Sequence, residues 1–239
     1  MILLRSVLFS LWLALVSAVM TIGCIPLLVA GPHRAIVGAM RLWARLILGG
    51  ARGIAGVRYE VRGRAHLPHG PCLIASKHQS MWETIAFHLL LDDPALVMKR
   101  ELLKIPLYGQ YAKRTQMIVV DRDGHARSLK TLVADARDRL ARGRQIVIFP
   151  EGTRRAPGAV PDYKPGIAAL YSQLGIPCIP VALNSGSYWP RAGVMKRPGT
   201  IVIEFLEPIP AGLKRAEFMA TLETRIEGAG ARLVPPPRA

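Results

Sequence analysis

The stretch Gln145-Ile146-Val147-Ile148-Phe149-Pro150-Glu151-Gly152-Thr153-Arg154-Arg155 decides the fold. Its apolar run, Ile146 to Phe149, is too short for a helix and is bounded by Pro and Gly, so it reads as a strand. With no polar alternation along it, both faces must be covered, which is the habit of strands in parallel sheets with helices on either side.

Outward from that strand, short β-rich runs alternate with helical ones. Candidate strands are 58–62, 72–76, 95–98, 117–120, 145–149, 178–183 and 200–206; candidate helices are 81–91, 105–114, 126–142, 165–174 and 214–227. The alternation predicts an α/β domain over 56–232 with a mixed, largely parallel sheet flanked by helices, followed by a disordered tail at 233–239.

In open sheets of this kind ligands bind beyond the carboxyl ends of the strands. After the strand at 72–76 comes Lys77-His78-Gln79-Ser80-Met81-Trp82-Glu83. Ser80 and Glu83 have capping-box spacing, which gives Glu83 a structural task. The same carboxylate can hold one nitrogen of His78 and leave the other free to take a proton. After the strand at 145–149, Gly152 lets backbone N–H groups approach a ligand and Arg154 offers a planar fork to phosphate oxygens. Lys99 and Arg100 follow a third strand and Arg122 a fourth, so cations gather at one edge of the sheet.

The chain has 239 residues, 51% of them apolar, with a net charge of +16. That excludes a disordered polar chain, and three cysteines exclude a disulfide-stapled scaffold. No metal and no cofactor is expected, since neither His66 and His69 nor the three cysteines have ligand spacing. No recognition helix or aromatic-basic RNA motif is visible, so no specific nucleic-acid partner is expected.

The apolar mass lies at the start. Nothing from Ser6 to His33 is formally charged, and the apolar run over 7–29 is long enough to reach across a hydrocarbon core of about 30 Å. It exceeds a signal-peptide core of about 7–15 residues, so it reads as a retained anchor. Arg34, Arg41, Arg45 and Arg52 then fall within about 20° of one line on a helix that also carries Ile36, Leu42, Trp43 and Ile47, the pattern of an element lying in an anionic interface. Residues 1–55 therefore form a membrane anchor of two helices, which either crosses the bilayer or re-enters it. The arginine excess places the body on the cytoplasmic side; the membrane is expected to be a bacterial inner membrane.

In four ordered blocks the chain resembles the 1-acylglycerol-3-phosphate acyltransferases of the glycerolipid acyltransferase family. Ser76 to Glu83 resembles the family's His-x4-Asp block, and Lys99 to Gly109 with Val120-Asp121-Arg122 the second. Phe149 to Arg154 resembles the third and Ile179-Pro180-Val181 the fourth. The resemblance implies transfer of an acyl chain from acyl carrier protein or coenzyme A to the sn-2 hydroxyl of lysophosphatidate. It implies a catalytic pair of His78 and Glu83, with acceptor phosphate held by Lys99, Arg100, Arg122 and Arg154. Glu151 would meet the glycerol part or order Arg154, and Gly152 and Thr153 would lend backbone donors near the reacting carbonyl. One departure stands out: Glu83 replaces the usual Asp, and its capping role competes for the same oxygens. The rival readings are acylation of another lyso-lipid, such as a lyso-ornithine lipid, and a non-catalytic binder of anionic membranes.

Overall fold

The computed structural model describes residues 1–105, 108–121 and 125–235. Three helices come first: α1 (Ile2–Gly23), α2 (Ile25–Ala30) and α3 (His33–Gly50), the last running into a π-helical turn at Ala51–Ala55. Next come β1 (Val57–Arg62), β2 (Cys72–Ser76), α4 (Trp82–Leu90), β3 (Pro94–Lys99), α5 (Tyr108–Arg114), β4 (Ile118–Val120), α6 (His125–Ala141) and β5 (Gln145–Ile148). The chain continues with α7 (Gly166–Leu174), β6 (Cys178–Leu183), α8 (Ser185–Tyr188), β7 (Gly199–Phe205) and α9 (Arg215–Leu233).

The seven strands form one sheet in the order β1-β7-β6-β2-β5-β3-β4. Every neighbouring pair is parallel except β6 and β7. The unbroken apolar strands divide their residues between two cores, as strands covered on both faces must. Cys72, Ile74 and Val147 join a core under α1, α3 and α4, while Leu73, Ala75, Ile146 and Ile148 join one under α6, α7 and α9. Pro180 sits inside β6 where the regular pairing with β7 ends: Leu206 N–H donates to Pro180 O, and the next pairing is Cys178 with Ile209, so the missing N–H falls at a break in the ladder.

The structure adjusts several predicted boundaries. A 3₁₀ segment at Arg100–Lys104 precedes α5, which begins at Tyr108 rather than at 105. The last helix does not stop before Gly228: Ala229 and Leu233 continue its buried face against Ala182 and Val202. Leu233, expected in a disordered tail, is thus a buried helical residue whose carbonyl accepts from Asn184 Nδ2 at 2.7 Å.

The N-terminal helices lie along the domain. Arg5 Nε donates to Ile54 O, Trp12 Nε1 to Leu46 O and Trp43 Nε1 to Ser17 Oγ, so α1 and α3 run antiparallel in continuous contact. A Cβ on Gly50 would fall 2.2 Å from Trp12 Nε1, so only glycine allows that approach. Phe9 packs edge-on against Trp189, and Ser6 Oγ meets both backbone polar groups of Lys196. The opposite face of α1 exposes Leu4, Leu8, Leu11, Leu15, Val19 and Ile22 in one stripe.

Candidate active site

β2, β5 and β3 lie side by side, and their carboxyl ends carry the residues that the strand-end rule selects. Beyond Ser76 the chain turns into α4 by way of Ser80, whose Oγ accepts from Trp82 N–H at 3.1 Å. The helix therefore starts one residue later than a Ser80 cap predicts. Glu83, in its first turn, folds back on the loop. Its Oε1 accepts from Gln79 N–H and Ser80 N–H, both at 2.7 Å, and from His78 Nδ1 at 2.9 Å. Capping and histidine orientation do not compete, as the sequence suggests they should, because the loop curls around a single oxygen. The other oxygen, Oε2, accepts from Ser185 Oγ at 2.7 Å.

The Glu83 side chain is 0% exposed. A buried carboxylate is tolerable only when hydrogen bonds replace its hydration, and four donors do so here. Since a carboxylate only accepts, Nδ1 of His78 carries the ring proton and Nε2 the lone pair. Nε2 has no partner among the described residues. The ring stacks on Phe149 with centroids 4.1 Å apart and its side chain is 14% exposed, so it is fixed in place yet open to a ligand.

A buried ion network supports the loop. Lys77 Nζ bonds Glu151 Oε1 at 2.9 Å and Glu227 Oε1 at 2.7 Å, and Tyr163 OH donates to the same Glu227 oxygen. Glu151 Oε2 accepts from His78 N–H at 3.4 Å, and Arg155 N–H donates to His78 O at 2.8 Å. Burial pushes the Glu151 carboxyl above its usual range while Lys77 opposes the shift; burial and Glu227 also raise the Tyr163 hydroxyl. In the structure the Glu151 side chain is wholly buried and turned to Lys77 and the His78 N–H, because a buried ammonium requires carboxylate partners, and it makes no contact with the Arg154 guanidinium.

Gly152 sits at φ 61°, in the left-handed region that favours glycine, and its N–H donates inward to Phe149 O at 2.8 Å. It is not turned outward as an oxyanion donor, which corrects that expectation; Thr153 beside it is half-buried. Arg154 is half-buried with one long contact, 3.5 Å from NH1 to Arg191 O, and Arg191 donates back to Arg154 O. Lys99 closes β3 and is half-buried. Neither cation has a carboxylate partner among the described residues. Arg100 differs, since its Nε lies 3.1 Å from Asp121 Oδ2 and its charge is already met. Arg122 lies outside the described residues.

The His78–Glu83 pair and the cations Lys99 and Arg154 on the neighbouring strand ends lie within the four sequence blocks. The family model described as Acyltransferase matches residues 58–184, more than half of the chain. The chain belongs to the acyltransferase family. A Pseudomonas aeruginosa 1-acyl-sn-glycerol-3-phosphate acyltransferase is 38% identical over 77% of this acyltransferase and 72% of that relative. The human protein named 1-acyl-sn-glycerol-3-phosphate acyltransferase beta is 30% identical, and there the alignment takes 71% of this chain but only 62% of the human one. The fold matches the crystal structure of a Thermotoga maritima 1-acyl-sn-glycerophosphate acyltransferase with a TM-score of 0.80 over 100% of both chains, at 18% identity.

Sequence reasoning gave no role to three residues that brace this candidate site: Lys77, Gln79 and Ser185. Ser185 stands two positions beyond β6, so the strand-end rule applied to that strand would have pointed to it. Gln79 Oε1 accepts from Gly186 N–H at 3.1 Å and ties the two loops together.

Proposed function

We propose that this enzyme transfers an acyl chain from a cytosolic acyl thioester, carried by acyl carrier protein or coenzyme A, to the sn-2 hydroxyl of lysophosphatidate, making phosphatidate for phospholipid synthesis. The observation that carries this reading is the buried Glu83 holding Nδ1 of His78 while Nε2 stays open. Nε2 takes the proton of the acceptor hydroxyl as its oxygen attacks the thioester carbonyl. The tetrahedral oxyanion collapses, the C–S bond breaks, and the departing thiolate sulfur takes the proton back from the imidazolium. Glu83 stabilises that imidazolium and keeps the ring in one tautomer, and a positioned base of this kind contributes about 10²–10⁴ in rate. The two substrates supply every reacting group, so no cofactor enters the step.

Lys99 and Arg154 hold the acceptor's phosphate from either side of β5, with Arg154 presenting two donors in one plane. The finding that supports their role is their lack of carboxylate partners among the described residues. The names of the relatives favour lysophosphatidate over other lyso-lipids.

The acceptor is a lipid, and α1 suits its delivery. The helix is long and apolar enough to cross a membrane, yet one face is tied along its length to α3 and to the loop at Trp189 and Lys196. That attachment favours a hairpin that re-enters one leaflet, with the apolar stripe from Leu4 to Ile22 among acyl chains and the basic body on the cytoplasmic side.

The test is a transfer assay with the membrane-reconstituted protein, labelled lysophosphatidate and each thioester in turn. Phosphatidate from wild type and none from His78→Ala, with vesicle binding unchanged, supports the reading. Transfer that persists in His78→Ala overturns the role of His78, and no transfer to lysophosphatidate alongside transfer to another lyso-lipid overturns the acceptor.

A further inference from the structure

At the opposite end of the sheet from His78, a cleft of about 780 Å³ opens between the start of α3 and the amino ends of β3 and β5. Five arginines line it, Arg34, Arg41, Arg114, Arg142 and Arg144, against two carboxylates, Asp92 and Asp93. The charge of the lining is therefore 5 − 2 = +3 with His33 neutral.

The ionic groups divide into a largely paired floor and an open wall. In the floor, Asp93 Oδ2 meets His33 Nε2 at 2.7 Å, while the buried Asp93 Oδ1 lies 3.1 Å from Arg144 Nε as an ion pair without a hydrogen bond; Arg144 donates to Gln116 O and Pro94 O. Arg142 is paired with Asp138 on its own helical face. The wall is different. Arg34 is exposed and pairs with no carboxylate among the described residues. Arg114 spends one N–H on Gly31 O at 2.6 Å. Arg41 gives one N–H to Leu91 O, stands 3.6 Å from Asp92, and keeps a buried Nε with no partner. A buried guanidinium N–H without an acceptor is costly.

The position of the cleft says which anion. The exposed apolar surface of α1 and α2 ends at Val29, and His33 and Arg34 come within five positions of it. Apolar residues giving way to arginine over so short a distance mark the level of phospholipid head groups. A lipid whose chains lie against Ile25 and Val29 would bring its phosphate to the cleft mouth. We propose that this cleft binds the phosphate of an anionic phospholipid head group, at a site separate from the acceptor phosphate held by Lys99 and Arg154. Such a lipid would pin the tip of the α1–α3 hairpin against the sheet.

Binding of the full-length protein to phosphatidylcholine vesicles, with and without phosphatidylglycerol, tests this without reference to catalysis. Arg34→Gln is compared with Arg45→Gln, which removes the same charge from the same helix outside the cleft. A cation merely near the surface accounts for about fivefold in affinity for the anionic vesicle. The cleft predicts a loss beyond tenfold for Arg34→Gln, as befits a charged hydrogen bond, and about fivefold for Arg45→Gln. Equal losses overturn the site. A parallel arm measures thermal stability in millimolar inorganic phosphate against chloride of matched ionic strength. Stabilisation by phosphate that Arg34→Gln removes, with no preference for phosphatidylglycerol, overturns the lipid assignment in favour of a soluble phosphate.

Discussion

Ser185 Oγ donates to Glu83 Oε2 at 2.7 Å across 102 positions of sequence. The bond joins the start of α8 to the first turn of α4 and fixes the far side of the carboxylate that aims His78. Both partners are wholly buried, so no water can replace the hydroxyl. Removing it leaves a lone pair of a buried carboxylate unmet, a cost of about 1–3 kcal/mol.

Ser185→Ala should therefore lower kcat by about tenfold, with the KM of both substrates little changed, because the hydroxyl acts through Glu83 and His78. Ser185→Thr should restore most of the rate. A rise in KM with kcat intact would place Ser185 on a substrate instead of behind the histidine.

Glu83→Asp restores the residue usual in the resembled motif, yet here it should cost about tenfold in kcat. The shorter side chain cannot reach His78, two backbone N–H groups and Ser185 together. Glu83→Gln keeps the length but cannot stabilise the imidazolium, and the fall should approach 10²–10⁴-fold. Steady-state kinetics on both variants checks the order; wild-type kcat in Glu83→Asp would show that the extra methylene carries no geometry.

Arg154→Ala and Arg100→Ala separate a free cation from a paired one. The first should raise the KM for lysophosphatidate by about 10–100-fold and leave that for the thioester unchanged, as loss of a charged hydrogen bond implies. The second should change it by less than about threefold, since Arg100 is exposed and already faces Asp121. Reversal of that order would move the phosphate to the Arg100 side of β3.

Lys77→Met should destabilise the fold by about 3–5 kcal/mol, because Glu151 remains as a buried charge without its partner. For a chain of this size that lowers Tm by roughly 10 °C. Lys77→Met/Glu151→Gln should recover most of the loss, and thermal unfolding of the two variants measures the coupling directly.

His88 supplies a pH dependence. Burial drives its pKa from the usual 6.5 down to about 4, with Asp93 opposing and Arg144 and Arg41 adding to the shift. The folded state holds the neutral ring and the unfolded chain takes the proton. Stability from this group is thus complete above pH 6.5 and is lost as pH falls toward 4. The loss approaches about 1.4 kcal/mol per pH unit, about 3 kcal/mol in all. Unfolding measured across that range should be flatter in His88→Leu, and an unchanged slope would assign the dependence to other groups.

The sequence determined the strands and the residues placed at their carboxyl ends. Unbroken apolar runs such as Ile146 to Phe149 state that both faces are covered, and covered parallel strands bring His78, Lys99 and Arg154 to one edge by topology alone. The length of the uncharged apolar run likewise disclosed α1, and helical spacing the arginines of α3. Local patterns carry that much because they depend on neighbours within a few residues.

Which partner each side chain takes was decided only in the folded chain. Glu151 faces Lys77, Arg100 is matched by Asp121, and Glu83 serves both cap and histidine on one oxygen while Ser185 holds the other. A burial cost is set by every group that closes around an atom. For Glu83 and Lys77 those groups include residues 74 to 150 positions away, so no stretch of sequence contains them.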